Sequence, residues 1–312
     1  MHSSHHIHYL RRQDIDDTKW DACIQSSPNG LIYGRTSFLD NITGGQWDAL
    51  IWEDYKAVMP LTWRKKFGFF YLYQPFFAAA LGIMPSDPAA PPTNSFLAAI
   101  PSKFRLWDFH LNETNLIPPG VASLPLKIIT RVNYLLPLHQ PYPLIREGYS
   151  RLAGRMLKKA AGLSVTRIDE PSQVIDLYRD TYRAVHPELS DDDYVRLNSC
   201  AEWACRNGHA SAWFAHAADG EKMGFYLALA DQRFVYSILG GSTPAGKETG
   251  AFYLLTDTLI REYAGQEKVF RFEGSDIPGI AFFNSQFGPQ QIHYPHIMMN
   301  RLPFPINLFK RL

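Results

Sequence analysis

At 312 residues the chain is too long for one small core and suits one large or two medium domains of about 150 residues each, with two preferred. Its 31 basic and 30 acidic residues leave a formal charge of +1, which gives no global electrostatic case for nucleic-acid binding, so any basic site is local. An apolar fraction of 46% and an aromatic fraction of 14% exclude a disordered chain and predict packed cores.

The first half reads as a mixed α/β unit. His8 to Arg11 is strand-like, Asp16 to Ser26 is helical, and alternating segments follow near Asp48 to Trp52 and Ala57 to Trp63. Arg64-Lys65-Lys66-Phe67-Gly68 reads as a hairpin turn, and the aromatic strand Phe69 to Gln74 stops at Pro75, where a ladder donor is lost. A proline-rich connection from Pro85 to Pro92 precedes a short helix near Ser95 to Ile100, then strand-like Phe104 to Leu111 and Leu126 to Leu138.

Pro141 and Pro143 mark the next boundary, after which Ile145 to Ala161 reads as one helix carrying Arg146, Arg151, Arg155, Lys158 and Lys159 and closed by Gly162. Leu163 to Ile168 is a strand, Asp169 or Ser172 caps a helix to about Val185, and Ser190 opens another with acids in its first turn. Ala212 to Ala217, Met223 to Ala230 and Arg233 to Leu239 form an antiparallel meander. Gly240-Gly241 leads into a loop with Pro244, Gly246 and Gly250, and a helix over Ala251 to about Gly265 follows.

Phe270 to Gly288 carries the densest punctuation. Phe270 and Phe272 alternate with Arg271 and Glu273 as a strand, Gly274-Ser275-Asp276 is a polar turn, Asp276 and Pro278 suit a helix start, and Gly288 suits its end. The turn therefore sits at the carboxyl end of a sheet strand, where α/β folds tend to hold ligands.

Three cysteines, Cys23, Cys200 and Cys205, without CxxC spacing, indicate neither a disulfide framework nor a zinc site, and a reducing cytosol is the simplest home. No export signal and no membrane span are read from the chain. His2, His5, His6 and His8 read as a polar terminal segment rather than a native metal site. The Pro303 to Leu312 tail is expected to pack on the body rather than dock on a membrane. His186, before Pro187, reads as structural.

The element order after residue 163, with Gly240-Gly241-Ser242 ahead of the Gly246 to Gly250 loop and with the Phe272-Glu273-Gly274-Ser275 turn, resembles the GNAT acyltransferase fold. The whole chain resembles the FemAB-like, two-lobed branch of that superfamily, through Pro60 to Gly68, Tyr71-Leu72-Tyr73-Gln74-Pro75, Leu81-Gly82 and the basic helix ending Lys158-Lys159-Ala160. The resemblance implies an α/β fold of two GNAT-like lobes, each a mixed, largely antiparallel sheet flanked by helices. Boundaries are placed at 1–142 for the first lobe, 143–162 for a basic inter-lobe helix and 163–312 for the second lobe. It implies acyl transfer to an amine in a groove between lobes, with acyl-CoA as donor in GNAT enzymes and aminoacyl-tRNA in the FemAB branch. No tightly bound cofactor is expected.

By that resemblance the donor's pantetheine lies beside Ile238, Leu239 and Gly240. Its pyrophosphate lies at the amino end of the Gly250 helix, with Gly246 and Lys247 nearby. The usual phosphate signature is absent, since Pro244 to Gly250 is a degenerate version. Glu273 is the candidate base, against a strand-edge role or a salt bridge to Arg271 or Arg261. Ser275 is set to position a carbonyl, against a turn hydrogen bond, and Asp276 to bind the amine, against helix capping. Arg64, Tyr73, Gln74 and Arg155 are candidate substrate contacts, against solvated ends, sheet packing and a solvated helix face. Phe282 and Phe283 stand where GNAT enzymes often place a tyrosine acid, so no general acid is assigned. The leading reading is an acyl-CoA-dependent N-acyltransferase for a small amine or amino sugar. The alternatives are a FemAB-type aminoacyltransferase using aminoacyl-tRNA on a cell-wall precursor and a non-catalytic binding protein, and oligomeric state is not legible.

Overall fold

A computed structural model describes residues 6–117, 125–304 and 307. The chain divides into two compact units, one of residues 1–131 with 293–312 and the other of residues 132–292.

The first unit begins with strand β1 (Ile7–Arg11) and helix α1 (Asp17–Ser26), whose N-cap Asp16 accepts from the Thr18 and Lys19 amides. Then come α2 (Thr36–Thr43), β2 (Trp47–Trp52), β3 (Ala57–Lys66), β4 (Phe69–Tyr73), the short β5 (Met84–Pro85), α3 (Thr93–Ala99) and β6 (Phe104–His110). The β3–β4 hairpin turns at Phe67 and Gly68, both with positive φ, the backbone sense that matches strand twist in two-residue turns. Its sheet runs β1, β2, β3, β4, β6 and then His296–Asn300 of β13 (Gln290–Asn300), with β5 beside β3. All of these neighbours are antiparallel except β4 and β6. Leu50, Trp52, Met59, Phe96, Phe104 and Trp107 are among the residues that fill its core.

The second unit takes Val132 onward of β7 (Lys127–Pro137), then α4 (Tyr142–Glu147), α5 (Arg151–Lys159), β8 (Ser164–Ile168), α6 (Pro171–Tyr182) and α7 (Asp191–Arg206). It continues through β9 (Ala210–His216), β10 (Lys222–Ala230), β11 (Phe234–Ser242), α8 (Ala251–Tyr263), β12 (Val269–Arg271) and α9 (Pro278–Ser285). Its sheet order is β8, β9, β10, β11, β12, β7, again antiparallel apart from one parallel pair, β11 with β12. Tyr226, Val235, Leu255, Leu259, Phe270 and Phe287 are among its core residues.

Several expectations need correction. The helix expected over Ile145 to Ala161 is two helices, because Ser150 starts a new one: its hydroxyl accepts from the Ala153 amide, and its own amide donates to the Gln286 carbonyl. The strand expected to stop at Leu239 runs to Ser242, with Gly240 and Gly241 paired to Tyr226 and Phe225. Helix α2 and strand β13 were not anticipated, and Pro295 inside β13 explains why that segment does not read as a strand. Among the described residues no helix is long and apolar enough to cross a membrane. His2, His5 and most of the tail after Phe304 lie outside the described residues.

The capping box that starts α7 joins Ser190 to Asp193: the Ser190 hydroxyl accepts from the Asp193 amide, and the Asp193 carboxylate accepts from the Ser190 amide. Replacing Ser190 by Ala is therefore expected to lower stability by about 1 kcal/mol, read as a shift in the urea midpoint at constant slope.

Candidate functional site

Strands β11 and β12 lie parallel for only three pairs, Phe234 with Val269, Val235 with Phe270 and Tyr236 with Arg271. Beyond Tyr236, β11 stays paired to β10 as far as Ser242, while the other strand leaves the sheet as the Phe272 to Gly274 turn. The β10–β11 register also slips, with Leu227 opposite Leu239 and Ala228 opposite Ser237, so Ile238 is the extra residue of a bulge. A wedge opens between the two chains. It holds a cavity of about 420 Å³ that reaches the Ser237–Ser242 edge on one side and Phe272, Glu273 and Gly274 on the other. That edge offers backbone donors and acceptors to which no strand is paired, a surface suited to an extended ligand carrying amides of its own.

The walls come from three helices. Tyr178, Tyr182 and His186 line one side at intervals of four residues, and the His186 amide still donates to the Tyr182 carbonyl just past the end of α6. Phe252 and Tyr253 come from the first turn of α8, and Ile280, Phe283 and Asn284 from α9. Adjacent glycines let two rings approach β11: a Cβ on Gly240 would stand 2.6 Å from the Phe252 ring, and one on Gly241 would stand 2.3 Å from the Tyr182 hydroxyl. Phe252 is stacked on Tyr226 at 5.3 Å and on Phe283 at 4.6 Å. Burial raises the phenol pKa of Tyr178, Tyr182 and Tyr253, so these hydroxyls stay protonated near neutrality.

Lys247 and Gly250 bring the cavity to the amino end of α8. The first intrahelical bond there runs from the Leu254 amide to the Gly250 carbonyl, which leaves the preceding amides of the first turn for an anion. Gly250 has φ +82°, and a side chain on it would meet the Met156 carbonyl of α5 at 2.4 Å. Gly246 does not line the cavity; it crosses Met223, whose carbonyl a Cβ would meet at 1.6 Å, so its need for glycine is a backbone crossing. The carboxyl end of α5 is basic: Lys158 and Lys159 occupy its last turn, Lys159 is 3.7 Å from Glu248, and Arg151 and Arg155 are exposed. Arg155 is outside the cavity lining.

Glu273 reaches the cavity, yet its carboxylate is engaged within the fold. One oxygen is 3.0 Å from Nε of Arg271, whose side chain is only 1% exposed, and the other accepts from Asn133 Nδ2 at 2.6 Å. Its backbone lies at φ +54°, and its amide and carbonyl bond to Asn133 and Asn284. Ser275 is buried, receives Asn284 Nδ2 at 3.0 Å and does not line the cavity. Asp276, weighed in the sequence as a helix cap, is not one: the N-cap of α9 is Ile277, and the Asp276 carboxylate accepts from the Val132 amide at 3.1 Å. The structure thus brings Ile238, Leu239, Gly240, Lys247, Gly250 and Glu273 to one cavity and leaves Gly246, Ser275, Asp276 and Arg155 off its wall.

Arg64, Tyr73 and Gln74 belong to the first unit. The Arg64 guanidinium lies over the Tyr73 ring at 4.4 Å. Gln74 accepts from the His110 amide, and its Nε2 donates to the Ala78 carbonyl, so its side chain ties the strand-end loop together. Among the cavity residues the sequence did not flag are Tyr178, Tyr182, Phe252 and Tyr253; the four-residue spacing of Tyr178, Tyr182 and His186 was the available signal for the first two. Among the described residues no cluster of His, Cys, Asp and Glu is arranged to hold a metal.

No protein-family model matches the chain, and no curated protein matches it in sequence. Solved structures do match it in fold. FemX superposes with a TM-score of 0.66 at 12% identity, covering 97% of this chain and 99% of the other. L-PGS from Bacillus licheniformis gives 0.54 at 11% identity, covering 94% and 95%. The C-terminal domain of a putative lysylphosphatidylglycerol synthetase from Agrobacterium fabrum gives 0.51 at 13%, covering 90% and 92%. The chain has a two-lobed, GNAT-like fold of the FemAB type.

The buried Arg271–Glu273 pair carries the clearest energetic expectation. Arg271→Met strands a buried carboxylate and is expected to destabilise the protein by roughly 3–5 kcal/mol, whereas the double variant Arg271→Met/Glu273→Gln should recover part of that loss. Guanidinium titrations of the three proteins measure the difference.

Proposed function

We propose that the chain is an acyltransferase whose acyl donor lies in the wedge of the second unit, and that the donor is an acyl-CoA delivering its acyl group to an amine. The observation that carries the reading is the early end of the β11–β12 ladder at Tyr236 and Arg271, with the cavity beyond it. A pantetheine arm is an extended chain with two amides, and the Ser237–Ser242 edge presents the backbone groups to pair with it. The pyrophosphate then meets the amino end of α8, where the unbonded amides and the helix dipole favour an anion and Lys247 adds a charge. The ~420 Å³ cavity is within the size range of small-molecule sites.

A second reading, an aminoacyl-tRNA-dependent aminoacyltransferase acting on a cell-wall precursor, draws support from a different observation. The exposed cations Arg151, Arg155, Lys158 and Lys159 lie on α5, whose Met156 carbonyl packs on Gly250 at the head of α8. A polyanion longer than CoA would use them. Likeness in fold to FemX and to a putative lysylphosphatidylglycerol synthetase is compatible with it.

Calorimetry with CoA and acetyl-CoA tests the first reading: micromolar binding is expected, and no binding of either ligand overturns it. Gly279 lines the cavity, and a Cβ on it meets nothing within 4 Å, so Gly279→Trp is expected to fold normally and lose CoA affinity by at least about tenfold. Lys247→Ala is expected to weaken CoA by about 1 kcal/mol, an effect that fades as salt rises from about 50 to about 500 mM.

A further inference from the structure

We infer that His186 is the base that takes the proton from the acceptor amine, an assignment that rests on the donor occupying the wedge as proposed above. Transfer to an amine requires a group in the cavity that is unprotonated near neutral pH and holds an available lone pair. The ionisable side chains that line the cavity are Tyr178, Tyr182, His186, Lys247, Tyr253 and Glu273. Burial keeps the three phenols protonated. Lys247 is an exposed ammonium. The Glu273 carboxylate is directed onto the buried Arg271 guanidinium and the Asn133 amide, and a proton on it would break that pair. The imidazole is the member of the set whose chemistry fits.

The surroundings of His186 also orient it. Nδ1 lies 3.2 Å from Oε1 of Glu188. A carboxylate only accepts, so the ring proton resides on Nδ1 and the lone pair on Nε2. The ring stacks parallel to Tyr178, its side chain is 24% exposed, and its amide is held by the Tyr182 carbonyl. Pro187 and the capping box at Ser190 fix the chain that follows. The charged and titratable groups that contact His186 are Tyr178 and Tyr182 on α6 and Glu188; Tyr194 of α7 acts on Tyr178, on which the ring stacks. Of these, Glu188 is the group within hydrogen-bond distance of a ring nitrogen, and it fixes the ring's orientation.

In the transfer, Nε2 takes one proton from the acceptor ammonium, and the amine attacks the thioester carbonyl carbon. The C–N bond forms, the C–S bond breaks and sulfur leaves as thiolate. The thiolate takes the second nitrogen proton, and the imidazolium releases the first to solvent, giving amide, thiol and one proton.

The test measures thiol release from acetyl-CoA with n-butylamine and with water alone as nucleophiles, across pH 5 to 9, alongside CoA affinity and the thermal midpoint. His186→Gln is expected to lower kcat/KM by about 100-fold and to abolish the acidic limb of the profile, with CoA affinity within about twofold of wild type and the midpoint unchanged. Glu188→Gln, which removes the carboxylate that orients the ring through Nδ1, should give a smaller loss of rate than His186→Gln, with CoA affinity again within about twofold of wild type. Equal thiol release by wild type and His186→Gln, with both binding CoA, overturns the assignment. A wild-type protein that binds no CoA overturns the donor reading instead, and the base falls with it.

Discussion

The second unit depends on where two parallel strands stop pairing. β11 and β12 share only three residue pairs, and the geometry at the end of that ladder is held by a buried charge pair rather than by more sheet. Arg271 is the last ladder residue; two positions later Glu273 turns out of the strand at positive φ and folds its carboxylate back onto the guanidinium, with Asn133 and Asn284 bonding to the turn. A parallel pair continued further along β11 would cover the Ser237–Ser242 edge with backbone. The turn diverts the chain and leaves that edge open to the cavity. A non-glycine residue in the left-handed region carries a cost of order 1 kcal/mol, and here the charge pair and amide bonds over-determine it.

The same unit shows how small residues and large ones divide the work around an open edge. Gly240 and Gly241 remain within the β10–β11 ladder, yet neither tolerates a side chain, because Phe252 presses on one and Tyr182 on the other. The wedge thereby gains aromatic walls from α6, α8 and α9. Its other pole is polar, where the amides of the α8 amino end meet Lys247 and the cations of α5 lie close by. An apolar, amide-rich arm ending in phosphate matches that gradient from one end to the other.

Much of this arrangement was legible residue by residue. The hairpin at Phe67-Gly68, the helix over Asp16 to Ser26, the helix start at Ser190, the β9–β10–β11 meander and the short helix opened by Pro278 all follow from local rules that act within a few residues, and the structure shows them. The strand containing Phe270 and Phe272 was visible as alternation, but its length was not: only three residues pair, because the turn is set by Asn133 and Asn284, which lie outside the strand's own neighbourhood in sequence. Asp276 shows the same limit. A residue with a good capping side chain stands just before a helix, and a distant amide, that of Val132, takes the carboxylate instead.

The sequence by itself determined the alternation of strands and helices and the segments, Arg233 to Gly250 and Phe270 to Gly274, that meet at the cavity, because propensity, capping and turn chemistry are short-range. Only the tertiary structure decided which of their side chains face it. Glu273 is turned onto Arg271, Ser275 and Asp276 are drawn off the wall, and His186, which reads as structural in isolation, comes to line the cavity with Glu188 on its Nδ1. Those outcomes depend on partners far along the chain, such as Asn133 and Val132, or on the path of a helix end, and no local pattern encodes either.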